Sequence, residues 1–83
     1  MKNLNKGYCN TIMINVINQF YAEHLQKECV MEIALHYASE DLENKQLDLY
    51  YNIVGTDYKK YYAHAKVNLD TFSYDIKITE KQA

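Results

Sequence analysis

Cys29-Val30-Met31-Glu32-Ile33-Ala34-Leu35-His36-Tyr37-Ala38 is the stretch that decides the fold, because it can be read with two periods. With a period of two, Cys29, Met31, Ile33, Leu35 and Tyr37 fall on a core face and Val30, Glu32, Ala34, His36 and Ala38 on the other, as in a strand. Read as a helix, the same residues are apolar nearly all round, with only Glu32 and His36 as a polar stripe. The strand reading is preferred. The helical alternative gives a chain of two helices and three strands.

Toward the N-terminus, residues 12–27 follow a helical period. Met13, Ile14, Val16, Ile17, Phe20, Tyr21, His24 and Leu25 gather on one half of the wheel, with Asn15, Asn18, Gln19, Ala22, Glu23 and Gln26 opposite. Asn10 is a candidate N-cap; a start near Asn5, with Gly7 inside the first turn, is the alternative.

Toward the C-terminus the alternation is cleaner. Leu47, Leu49, Tyr51 and Ile53 oppose Asp48, Tyr50 and Asn52; after a turn at Gly55-Thr56-Asp57, Tyr61, Ala63, Ala65, Val67 and Leu69 oppose Tyr62, His64, Lys66 and Asn68. A last strand carries Phe72, Tyr74, Ile76 and Ile78 inward. Ser39 to Lys45 reads as the first hairpin loop. Parity flips across Asp70-Thr71, as a two-residue turn between Leu69 and Phe72 requires, although Asp-Thr is not a favoured pair and a longer loop is the alternative.

These apolar strand faces need a cover, and the helix supplies it. The expected fold is α+β: residues 1–83 as a single domain, one amphipathic N-terminal helix packed on a four-stranded antiparallel β-meander (αββββ). In shape this resembles the cystatin architecture, and Asn52-Ile53-Val54-Gly55 falls where that family has its Gln-x-Val-x-Gly hairpin. Tyr51 stands in place of the glutamine, Val54 rather than Ile53 adjoins the glycine, and no Pro-Trp hairpin follows. The resemblance is one of shape, and protease inhibition is not carried over.

Composition narrows the function classes. Hydrophobic residues make up 48% and charged residues 24% of 83 residues, which suits one small folded domain. No apolar run is long enough for a membrane span or a signal peptide, so a cytoplasmic protein is expected. Two cysteines agree with that, and a Cys9–Cys29 bridge is the lesser alternative to two buried structural thiols. Net charge is −2 and every basic residue but the histidines is lysine, which weakens a nucleic-acid reading because arginine supplies the planar fork for phosphates and guanine edges. Abundant Asn, Lys, Ile and Tyr with no Pro, Trp or Arg is the bias of AT-rich coding sequence, and it associates the chain with low-GC bacteria, their phages and mobile elements.

Pairing strands inward to inward allows a register, broken by a shift of two residues, in which His36, Asp48, Lys66 and Asp75 form a row of alternating sign on the outer face. The same register sets Ala34, Tyr50, His64 and Lys77 side by side, with Tyr62 near. Exposed tyrosines offer large contact area at low entropy cost, so Tyr50, Tyr62, His64, Lys66 and Lys77 form the expected protein-binding face. The competing set is Tyr58, Lys59, Lys60 and Tyr61, with Tyr62 beside it, which would stack on and neutralise a single strand of nucleic acid. His24, His36, His64, Cys9 and Cys29 show no metal-ligand spacing, and His24 reads as an edge-of-core histidine. No cofactor is expected.

The expected function is a small non-catalytic protein-binding module, a phage or mobile-element inhibitor of a larger host enzyme (anti-CRISPR or anti-defence type), or a homodimer. An open edge at Cys29–Ala38 or Phe72–Thr79 would let the sheet extend into a partner. The alternative is a nucleic-acid-binding accessory protein. An enzyme resting on His36 and Asp48 stands third.

Overall fold

The structure is a computed structural model and describes residues 6–24 and 29–81. Residues 29–38 are not helical: β1 spans Val30–Asp41, and with β2 (Gln46–Gly55), β3 (Lys60–Asn68) and β4 (Tyr74–Glu80) it forms one antiparallel sheet in the order β1-β2-β3-β4. Helix α1, Lys6–Glu23, precedes them. The fold is α+β, and the two-helix alternative falls. Asn10 lies inside α1 and is not its cap. Leu25 and Gln26, with the side chain of Cys9, lie outside the described residues.

The core is two-layered. Ile12, Val16 and Phe20, four residues apart on α1, are buried against Leu47, Leu49, Tyr51 and Ile53 of β2 and Tyr61, Ala63, Ala65 and Val67 of β3. Ile14, expected on the apolar half, is exposed because it sits two residues from both Ile12 and Val16, about 200° round the wheel. Gln19, expected outside, is half-buried; its Nε2 donates to the Ile76 carbonyl of β4 at 2.7 Å and so ties helix to sheet. His24 stacks on Phe20 at 4.2 Å, and its Nδ1 lies 2.9 Å from the Phe20 carbonyl, a satisfied edge-of-core histidine.

The turns depart from the expected lengths. β1 runs past Ser39 to Asp41, whose carboxylate accepts from the Asn44 backbone at 3.1 Å and its amide at 2.8 Å, closing the hairpin at 42–45. These hydrogen bonds hold the Asp41 carboxyl below its ordinary pKa. Between β3 and β4 the two-residue turn is replaced by the longer loop. Asn68 Oδ1 accepts from the backbones of Asp70 and Thr71, and Asn68 and Phe72 close the loop at 2.6 Å through the Phe72 N–H. Phe72 therefore sits in the loop at φ 60°, exposed, not inward on β4.

β1 departs furthest from simple alternation. Its 12 residues run along the 10 of β2, and the surplus is absorbed by bulges at Met31 and His36. Ile33 and Leu35 oppose Ile53 and Tyr51, as alternation predicts, but only Ile33 packs against the core, and Leu35, expected inward, is exposed on this edge strand. Beyond His36 the faces exchange: Tyr37 opposes Tyr50 on the outer face, while Ala38 and Glu40 oppose Leu49 and Leu47 on the inner one. Cys29, Met31 and Tyr37 are thus exposed, and Cys29 is a free surface thiol rather than a buried one. An inward carboxylate at Glu40, its Oε2 buried without a hydrogen bond, together with two bulges, discourages a second chain from pairing flat along this edge.

Candidate functional site on the outer sheet face

Away from the helix, the sheet presents four cross-strand rows. In the first, Ser39, Asp48, Lys66 and Asp75 stand opposite one another. The expected row of alternating sign is present from Asp48 onward, but Ser39 takes the place of His36 because the bulge displaces the β1 register. No His36–Asp48 couple forms. Asp48 instead accepts from His64 Nε2 at 2.8 Å and from Gln46 Nε2 at 3.0 Å. An ionised carboxylate can only accept, so the imidazole N–H points at it.

In the second row Tyr37, Tyr50, His64 and Lys77 are in register. Tyr50 stacks on His64 at 4.5 Å and 11° and meets Tyr37 in a tilted contact at 5.8 Å, so it has a ring neighbour on each adjacent strand. Tyr37 replaces the expected Ala34, which pairs with Asn52 one row along. The third row holds Ala34, Asn52, Tyr62 and Thr79; the fourth holds Glu32, Val54 and Lys60, with Lys81 donating its backbone N–H to the Lys60 carbonyl. Lys81 Nζ lies 5.4 Å from the centre of the Tyr62 ring, in cation–π range.

Tyr50, Tyr62, His64, Lys66 and Lys77 thus share one face, as β2, β3 and β4 parity predicts. Sequence reasoning missed Tyr37 and Lys81 there. Nothing local marks the bulge that turns Tyr37 outward. His36 joins the face by another route, since as the bulged residue it lines a depression of about 510 Å³ with Tyr50, Tyr62, His64 and Lys77. The other set does not converge. Tyr58 and Lys59 lie around the turn at Thr56–Tyr58, Lys60 belongs to the outer face, and Tyr61 is buried edge-on to Phe20 at 5.0 Å, where no base can reach it.

Asp48 is the electrostatic anchor of the face. Its partial burial raises the carboxyl pKa, but hydrogen bonds from Gln46 and His64, with the charges of His64 and Lys66, outweigh this and hold it below the ordinary value of 3.8. A depressed pKa contributes stability that is present above the unfolded value and lost as pH falls through the folded one. Asp48→Asn is therefore expected to lower stability by about 1–2 kcal/mol at pH 7, and the gap to the parent should begin to close below about pH 4 and shrink as pH falls through the lowered folded value. Urea midpoints at pH 7 and pH 3 measure it, and an equal gap at both values would remove the anchor.

Among the described residues no group of three or more His, Cys, Asp or Glu could hold a metal ion, and no helix is long and apolar enough to cross a membrane. No family model matches the chain, and comparison with curated proteins and with solved structures gives no match.

Proposed function

We propose that the chain is a protein-binding module without chemistry of its own, acting in the cytoplasm by docking the outer face of its sheet onto a larger protein. The observation that carries this reading is the row Tyr37–Tyr50–His64, packed ring on ring beside the exposed Tyr62. Rings that hold one another in place lose little further entropy on binding, and such aromatic anchors dominate protein interfaces. The AT-rich residue bias supports its concrete form: an inhibitor carried by a phage or mobile element and directed at a host enzyme, of the anti-CRISPR or anti-defence kind. A nucleic-acid role for Tyr58, Lys59, Lys60 and Tyr61 has less support, since Tyr61 belongs to the core.

The test is capture from a bacterial host lysate by the immobilised chain, compared with a Tyr37→Asp/Tyr62→Asp variant whose fold is checked by circular dichroism. Both positions are exposed, so the variant keeps its core. A genuine partner is enriched at least about tenfold by the parent, the loss of roughly 1.4 kcal/mol that one anchor supplies. Identical capture profiles overturn the proposal. Light scattering separates docking by one chain from docking by a homodimer.

A further inference from the structure

The outer face is not uniform in charge. The chain carries 11 acidic residues against nine lysines, yet the two depressions on either side of Tyr62, of about 510 and about 330 Å³, are lined by Lys60, Lys77, Lys81 and His36 and by no carboxylate. Two other described lysines face acids. Lys45 lies 3.6 Å from Asp70, and Lys66 stands between Asp48 and Asp75. Among the described residues Lys60, Lys77 and Lys81 have no ion pair, and Lys81 rests on the Tyr62 ring instead.

Resting on the reading of this face as a protein-docking surface, we infer that the half centred on Tyr62 takes an acidic segment of the partner, its carboxylates held by Lys60, Lys77 and Lys81. Lys77 stands opposite His64, four residues along β3 from Lys60. The two ammonium groups are therefore rooted about 14 Å apart along the strand direction. An extended segment of about four residues spans that distance, so acidic side chains about four positions apart reach both ends. Tyrosine hydroxyls at the ring edges donate to the carboxylates and carbonyls between them.

Ring geometry favours a peptide over a nucleic acid. Stacking a base needs an open ring face. Tyr50 has His64 stacked on it and Tyr37 in tilted contact, and Lys81 sits over Tyr62. The ring edges and hydroxyls of this row suit carbonyl and carboxylate oxygens. The cations are all lysines, point charges that attract a carboxylate without arginine's fork for phosphate.

The test uses the full chain and three fluorescein-labelled probes: a decapeptide alternating Glu and Thr, its Gln/Thr counterpart, and a decamer of deoxythymidine. In about 20 mM salt the Glu/Thr peptide should bind saturably, at least about tenfold more tightly than the Gln/Thr peptide, and weaken at least about tenfold by 200 mM salt as screening sets in. Amide shifts should concentrate at Lys60, Tyr62, Lys77 and Lys81. The variant Lys60→Glu/Lys77→Glu/Lys81→Glu should lose at least about tenfold in affinity, while Lys45→Glu on the first hairpin stays within about twofold. Equal binding of the two peptides, tighter binding of the oligonucleotide, or no saturable shift at millimolar peptide overturns the inference. The lysate capture separates the two levels. A partner lost by Tyr37→Asp/Tyr62→Asp but kept by the triple lysine variant sinks the acidic segment and leaves the docking face standing. A partner kept by both variants sinks both.

Discussion

Phe20→Ala is expected to remove at least about a quarter of the stability of the fold. Phe20 is fully buried and meets Tyr61 edge-on at 5.0 Å and His24 face-on at 4.2 Å, so its ring joins the helix to β3 and closes the C-terminal end of α1. Truncating a buried phenylalanine costs about 3–5 kcal/mol in lost transfer energy and cavity. At about 0.05–0.15 kcal/mol per residue the whole chain has about 4–12 kcal/mol to lose. The substitution therefore removes about a quarter of the stability at the least and, at the lower end of the total, exceeds all of it and unfolds the chain. Urea unfolding followed by tyrosine fluorescence measures the loss. Phe20→Leu, which keeps most of the volume but not the ring pairs, should cost about 1–2 kcal/mol. A loss under 1 kcal/mol for the alanine variant would mean that α1 is not seated on the sheet through this residue.

Ala65→Leu is expected to destabilise by about 1–3 kcal/mol through the opposite mechanism, excess volume. Ala63 and Ala65 are buried on the inner face of β3, and Ala65 lies between Leu49 of β2 and Ile76 of β4. Small side chains there let α1 approach β3 closely while β2 supplies bulk through Leu47, Leu49, Tyr51 and Ile53. A leucine has no room except by lifting the helix, which also strains the Gln19 bond to Ile76. Amide exchange should show α1 losing protection before the β2–β3 ladder does. A parent-like midpoint would contradict this close seating. Ala65→Ser, similar in size, tests the cost of burying a hydroxyl instead.

The legible part of the site was the part with two partners. β2 and β3 are central strands, so each inward residue is held by the neighbours across both ladders, and a slip by one would put Asp48 or Lys66 into the core. Alternation alone therefore placed Tyr50, Tyr62, His64 and Lys66 on one face, and Lys77 joined them from the edge strand β4, whose seven paired residues keep register with β3 without a bulge. β1 is paired on one side only, and its register answered to less. Glu40 could turn inward at its far end because that end is only partly covered, and the residue spacing was recovered by bulging Met31 and His36. Tyr37 thereby joined the outer face, and the histidine bonded to Asp48 became His64.

Element order, the α+β class, and the core and outer faces of β2, β3 and of β4 from Ile76 onward follow from local period and from the exclusion of charge from a dry interior, both of which are written in the residue pattern. The β1 register, the exposure of Cys29 and Phe72, the inward turn of Gln19, and the grouping of His36, Lys60, Lys77 and Lys81 around Tyr62 emerge once the layers pack together. Each of those depends on what lies across a ladder or under the helix. A hydrophobic pattern specifies which side faces inward, but where surplus residues leave an edge strand is settled by the packing of the layer beneath it.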